Sequence, residues 1–173
     1  QLTREDTDGF GLQSQERAKA AIEAGYFNSQ IIPIEAPVMD DNFERTDQVI
    51  SVSRDEVPRD TSLAALAELK PVAREDGLHT AGTSSQIADG AAAVLMMSAR
   101  KAQELGLKPL ATIRASALVG CDPVIMLEGP IPATQKMLQQ TDLSIDDIDV
   151  FEVNEAFASV VLSWAKEVGA DMA

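Results

Sequence analysis

The chain opens on a helical pattern. Thr3 followed by Asp6 is a variant of the capping signal at a helix start, with Asp where Glu or Gln is usual. It predicts a helix over about residues 4–24, with Phe10, Ala18, Ala21 and Ile22 turned inward and Gly25 as its stop. Residues 28–60 change character. Pro33, Pro37 and Pro58, the β-like runs Ile31–Ile34 and Val49–Val52, and many acids predict an irregular excursion with short strands. Residues 61–69 read as a short helix stopped before Pro71. After a polar stretch from Gly77, residues 89–105 carry Ala91, Leu95, Ala99 and Ala102 at helical spacing, closed by Gly106. Residues 110–119 alternate Ala111, Ile113, Ala115, Ala117 and Val119 against a more polar set, the pattern of a half-buried strand. Pro132 fits the first turn of a helix that ends near Gln140. Asp149–Val153 reads as a short buried strand. A helix from about Ala156 to Val168 follows, stopped by Gly169. From residue 89 on, the order is helix, strand, helix, strand, helix, which is an α/β layer pattern. In such sheets ligands gather at the carboxyl ends of strands and at helix N-termini, and Asn154 lies at such a point.

Composition narrows the function classes. In 173 residues, 45% are hydrophobic and 24% charged, which suits a globular chain with its own core. The formal charge is −14, with 16 of the 28 acids in residues 1–77 and the rest beyond, so the negative charge is spread along the chain. A phosphate backbone would be repelled, which argues against nucleic-acid binding as a main function. No run approaches the roughly 20 apolar residues of a membrane span. The start, Gln1–Asp6, is polar and acidic and reads as neither a signal nor a transit peptide. One cysteine and one histidine exclude an intrachain disulfide and disfavour a Cys/His zinc site, so no metal is expected. A lone thiol with no targeting segment points to a cytoplasmic, reducing location.

The usual catalytic sets are absent. Cys121 follows Gly120 and precedes Asp122–Pro123, with no obvious helix N-terminus to activate it, and reads as a bystander. His79 is able to serve as a base, but a lone loop histidine is more often structural. Gly82-Thr83-Ser84-Ser85 precedes the expected helix. Its hydroxyls and amides suit an anion or an amide, and equally an ordinary helix start. It lacks the Lys of a nucleotide phosphate loop. Arg54, Arg59, Lys70 and Arg74 form the densest positive group, fit either to meet phosphates or to lie on a solvated face.

Four ordered motifs carry a family resemblance. Val153-Asn154-Glu155-Ala156-Phe157-Ala158 resembles the Asn-Glu-Ala-Phe motif of the thiolases, the acetyl-CoA acyltransferases. Thr80–Ala92 resembles their Thr-Ala-Gly-Asn-Ala-Ser-Gly-x-Asn-Asp-Gly-Ala-Ala run. Val119–Pro123 and Gly129–Ala133 resemble the strand-end and Gly-Pro-x-Pro-Ala segments. Arg4 to Gln15 is similar to the family's Ser-Arg-Glu-x-x-Asp-x-Phe-Ala-x-x-Ser-Gln helix. The similarity is weakest over residues 36–60.

The resemblance implies a layered αβαβα thiolase-like fold, here incomplete. Residues 1–86 correspond to the loop domain over the CoA site, 87–108 to the closing helix of the N-terminal α/β half, and 109–173 to the opening of the C-terminal half. It implies thiolytic cleavage of 3-ketoacyl-CoA, or the reverse Claisen condensation, with the acyl group carried on a cysteine thioester. Coenzyme A would be a substrate, and no permanently bound cofactor is expected. Acyl-CoA and 3-ketoacyl-CoA thioesters are the implied partners, with a homodimer or homotetramer for the parent. By the same resemblance, Asn154 would hold a water of the oxyanion hole, and Ser85 would hydrogen-bond the pantetheine arm. Ala156, Phe157 and Met126 would contact the pantetheine and acyl path, and Arg59 would lie near the CoA nucleotide.

The departures matter. Neither Cys121 nor His79 matches the family's nucleophile, its Gly-His-Pro histidine or its Cys-x-Gly-Gly-Gly cysteine. The chain is therefore expected to be an internal thiolase segment, inactive alone. The alternative is a non-catalytic CoA-binding or assembly module. Leu127 stands where glycine usually follows the methionine, Ala73 where an aromatic often packs against CoA, and Thr83-Ser84-Ser85-Gln86 where Asn-Ala-Ser-Gly is usual.

Overall fold

The computed structural model describes residues 1–172. They form two compact units, one of Thr3–Gly82 and one from Thr83 onward, the second joined by Gln1–Leu2.

The first unit begins with α1, Arg4–Glu23. The expected cap is in place. Thr3 Oγ1 accepts from the Asp6 amide at 3.1 Å, and the Thr3 amide donates to Asp6 Oδ2 at 2.7 Å. At the other end, Gly25 takes φ +73°, and the amides of Gly25 and Tyr26 close onto the carbonyls of Ile22 and Ala21. That paired closure is a Schellman stop, and it uses the freedom of glycine at positive φ. The inward face differs from the expected one. Thr7, Asp8 and Gly11 are buried, whereas Phe10, Ala18, Ala21 and Ile22 are only half-buried. The reason is a polar clamp. Arg4 Nε pairs with Asp8 Oδ2 at 2.8 Å, and Arg4 Nη2 donates to the carbonyls of Leu66 and Leu69 at 2.6 and 3.1 Å. Those carbonyls lie at the end of α2, Leu63–Ala67, so the contact side of α1 is chosen by Arg4 and not by its apolar stripe.

Residues 34–52 form a hairpin of β1, Ile34–Met39, and β2, Arg45–Val52, antiparallel with Ile34 opposite Val52 and Ala36 opposite Ile50. Both strands outrun the short apolar runs. The cause is the turn, where Asp40 Oδ1 accepts from the amides of Asn42 and Glu44 at 2.8 and 2.9 Å. Such an Asp-centred turn fixes register without any apolar signal. Pro37 is tolerated because a two-stranded ribbon leaves β1 an open edge. Ser62 caps α2, whose Leu66 is buried. Pro71 bridges Thr80, and the Val72 amide donates to the His79 carbonyl at 2.9 Å.

The second unit is built on α3, Ala99–Glu104, α4, Pro130–Thr141, and α5, Ala158–Val168. Its core is Ala102, Ala158, Val161, Trp164 and Ala165. Pro132 lies in the first turn of α4, and Gly169 ends α5 at φ +74°. Trp164 joins the two helices. Its Nε1 donates to Thr134 Oγ1 at 2.9 Å, and Phe151 meets its ring edge-on with centroids 5.1 Å apart.

Three predicted elements differ. The helix expected over 89–105 is confined to 99–104, where the Ser98 hydroxyl caps the Lys101 amide. Val94 and Leu95 are 80% exposed, so the preceding apolar run has no packed face to hold it helical. Residues 110–119 and 149–153 form no ladder among the described residues. A strand is defined by its neighbour, and the described residues supply none. Period two persists nonetheless: Ala115 and Ala117 are half-buried between exposed residues, as are Phe151 and Val153.

Candidate functional site

Two segments some seventy residues apart meet in the second unit. Ser84 and Phe157 form an antiparallel bridge. The Ser85 amide donates to the Ala156 carbonyl at 2.9 Å, and the Ala158 amide donates to the Thr83 carbonyl at 3.0 Å. Thr83–Ser85 thus lies beside Ala156–Ala158, at the start of α5. Phe157 is the N-cap of that helix, with extended backbone (φ −147°, ψ 151°) and no side-chain cap bond. The Thr83 carbonyl takes the first donor of α5, one that no residue within the helix can satisfy.

Ser85 is exposed, and its hydroxyl makes one long bond, 3.4 Å, to the Gln86 carbonyl. It starts no helix, contrary to expectation, because the bridge takes its amide and the residues after it are not helical. Asn154 is exposed and lies three residues before the cap of α5, so it is not the helix cap. The bridge brings Ser85, Ala156 and Phe157 together and leaves Asn154 two residues from the bonded Ala156 carbonyl.

Met126 is held differently. Asp122 Oδ1 accepts from Val124 and Ile125 at 2.7 and 3.2 Å, and the Met126 amide donates to the Asp122 carbonyl at 2.9 Å. Met126 and Leu127 then both take left-handed backbone, φ +55° and +56°. Arg59 belongs to the first unit, where its amide donates to Gln15 Oε1 at 2.9 Å. Its exposed guanidinium forms no ion pair among the described residues. Arg54 and Lys70 are exposed, while Arg74 pairs with Asp76 at 3.0 Å. Cys121 is an exposed thiol, and His79 is half-buried within the Pro71–Thr80 turn.

Two features escaped the reading of the sequence. Thr83 is buried at 5% exposure, and Leu127 is left-handed. Leu127 was open to detection, because glycine is the residue that takes positive φ without cost. The titrations shifted by the fold lie away from these residues, at Asp6, Lys19, Asp40, Asp60 and Asp147. Among the described residues no cluster of three His, Cys, Asp or Glu side chains is placed to hold a metal ion.

Comparison with known proteins decides the family. Residues 1–100 match the model of the thiolase N-terminal domain, and residues 107–173 that of the thiolase C-terminal domain. The chain belongs to the thiolase family. This thiolase chain is 47% identical over 169 residues to an acetyl-CoA acetyltransferase of Chromobacterium violaceum, covering 97% of the chain and 42% of that protein. It is 46% identical over 172 residues to the steroid 3-ketoacyl-CoA thiolase FadA6 of Mycobacterium tuberculosis, covering 99% of the chain and 39% of that protein.

The solved structures agree. The acetyl-CoA acetyltransferase of Bacillus anthracis superposes with a TM-score of 0.91 at 43% identity, over 98% of this chain and 42% of the other. Human mitochondrial 3-ketoacyl-CoA thiolase gives 0.88 at 41% identity, over 99% and 42%. The fold is therefore part of the thiolase fold, and the chain spans about two fifths of the length of the relatives it matches. Among the described residues no helix is long and apolar enough to cross a membrane.

Proposed function

We propose that this chain is the part of a thiolase acyltransferase that contacts the CoA thioester, in a protein that cleaves 3-ketoacyl-CoA with CoA or runs the reverse condensation. The observation that carries this reading is the bridge between Thr83–Ser85 and Ala156–Ala158, which joins the two motifs expected to touch substrate. The relatives' names, acetyl-CoA acetyltransferase and 3-ketoacyl-CoA thiolase, support the same class.

In the cleavage direction a cysteine thiolate attacks the 3-keto carbon. The bond between C2 and C3 breaks, acetyl-CoA leaves after protonation of C2, and the acyl group passes from the cysteine to the sulfur of a second CoA. Asn154 positions a water that donates to the thioester oxygen as charge develops there. Donors of this kind are worth about 3–4 kcal/mol each when removed. Ser85 holds the pantetheine amide, Ala156, Phe157 and Met126 contact the pantetheine and acyl chain, and Arg59 meets the nucleotide phosphates. The nucleophilic cysteine, the histidine and the second cysteine come from residues other than these 173. Residues 1–86 act as the cover over CoA, residues 87–108 close one α/β half, and residues 109–173 open the other. The parent works as a homodimer or homotetramer. The exposed, unpaired Cys121 suits a reducing, cytoplasmic setting.

Calorimetry with CoA and acetyl-CoA tests the binding role, and a thiolysis assay with intact-mass analysis of the same sample tests the division of labour. The expected result is binding of both ligands and no turnover by the pure chain. Binding of neither would overturn the CoA reading. Turnover by a sample holding only this polypeptide would overturn the assignment of the nucleophile elsewhere. Turnover that follows a longer or second polypeptide would identify the source of the missing groups.

A further inference from the structure

We propose that Thr83 is a positioning residue, whose buried side chain and carbonyl hold the Asn154–Phe157 segment in register with Ser85. The inference rests on the CoA-thioester reading above. An antiparallel bridge requires extended backbone on both sides. The chain reaches the bridge through Gly82, which imposes no such restriction. Thr83 does impose it, because β-branching at Cβ stiffens χ1 and favours extended backbone. It is also the most deeply buried residue of the run from Ala81 to Ser85, whereas Ser85 is exposed.

The Thr83 carbonyl accepts the Ala158 amide at 3.0 Å, standing in for the side-chain cap that Phe157 does not provide. Two residues on, the Ser85 amide holds the Ala156 carbonyl at 2.9 Å. A shift at Thr83 therefore moves the pantetheine-binding hydroxyl relative to the Asn154 amide. In this role Thr83 touches no reacting atom.

The test compares the whole 173-residue chain with Thr83→Gly and Thr83→Val. Acetyl-CoA affinity is read by calorimetry, amide exchange at Ser85 and Ala158 by NMR, and unfolding of the unit by Trp164 fluorescence. In Thr83→Gly, exchange at both amides should rise roughly tenfold or more and affinity should fall roughly tenfold, with the Trp164 midpoint unchanged. Thr83→Val keeps the β-branch and removes only the hydroxyl, so it should change both readouts by clearly less than the roughly tenfold of Thr83→Gly. Wild-type exchange and affinity in Thr83→Gly would overturn the proposal, as would Thr83→Val losing as much as Thr83→Gly. If the wild-type chain binds no acetyl-CoA, the functional reading fails separately. The exchange rates then decide: unchanged exchange in Thr83→Gly overturns the positioning role, and faster exchange rescued by Thr83→Val upholds it.

Discussion

Gly82 lies against the buried Leu66 so closely that a Cβ there would stand 2.3 Å from Leu66 Cδ2 and 3.0 Å from Leu69 Cδ1. Leu66 is the buried residue of α2 and is 3% exposed, so its methyl group has little room to move aside. Gly82→Ala should therefore cost about 1–3 kcal/mol through overpacking, read as a lower urea midpoint at unchanged slope. Adding Leu66→Ala removes the obstructing methyls, so the double variant should lose less than the sum of the singles. Strictly additive losses would show that the two residues do not compete for space.

Trp164 gives the second unit its own reporter, because it is the only tryptophan in the chain. Its indole N–H is held by Thr134 Oγ1, which donates in turn to the Pro130 carbonyl at 2.8 Å. Thr134→Val keeps the shape and leaves a buried donor unpaired. The expected loss is about 1–3 kcal/mol in fluorescence-detected unfolding. A Thr134→Ser variant, which keeps the hydroxyl, should recover most of it. Equal losses in the two variants would mean that packing, not the hydrogen bond, sets the contribution of Thr134.

These two contacts mark what the sequence leaves illegible. Helix ends are readable because their signals are local: Thr3 with Asp6, Gly25, Pro132 and Gly169 all act where the chain itself places them. The strands expected over 110–119 and 149–153 are a different case, because they need a neighbour to form and alternation alone cannot provide one. The alanine-rich stretch ahead of Ser98 shows the same limit for a helix, since spacing without a packing surface does not hold it. The hairpin lengthened because one carboxylate, Asp40, organised its turn. The two site motifs are visible as short strings. That residue 84 pairs with residue 157 is not, because no periodicity links positions so far apart. Arg4 is a similar case: its bond to the Leu66 carbonyl joins residues 62 positions apart and decides which side of α1 is buried.

Leu127 follows Met126 in the left-handed region, where a side chain costs roughly 1–2 kcal/mol relative to glycine. Leu127→Gly should remove that strain and offset the greater freedom of glycine in the unfolded chain. The expected urea midpoint is equal to or above that of wild type. Ala133→Gly inside α4 is the control, and should lose about 1 kcal/mol. A loss of that size at Leu127 would show that its side chain packs usefully enough to outweigh its backbone.

Asp6 sets a pH dependence with a definite sign. Its carboxyl is held below the ordinary carboxylate range, first by the bond from the Thr3 amide and then by the bond from the Thr3 hydroxyl. The folded state therefore favours the ionised form more than the unfolded chain does. Its contribution is complete above the ordinary carboxyl pKa of 3.8 and is lost as pH falls through that value and through the lower folded one. Asp6→Ala should lower the urea midpoint at pH 7, and the gap to wild type should narrow as both are taken from pH 5 to pH 3. Thr3→Val removes the hydroxyl and keeps the amide, the larger of the two causes, so it should retain most of the wild-type pH dependence. A gap between wild type and Asp6→Ala that stays constant from pH 7 to pH 3 would mean that the carboxylate is not what closes the capping box.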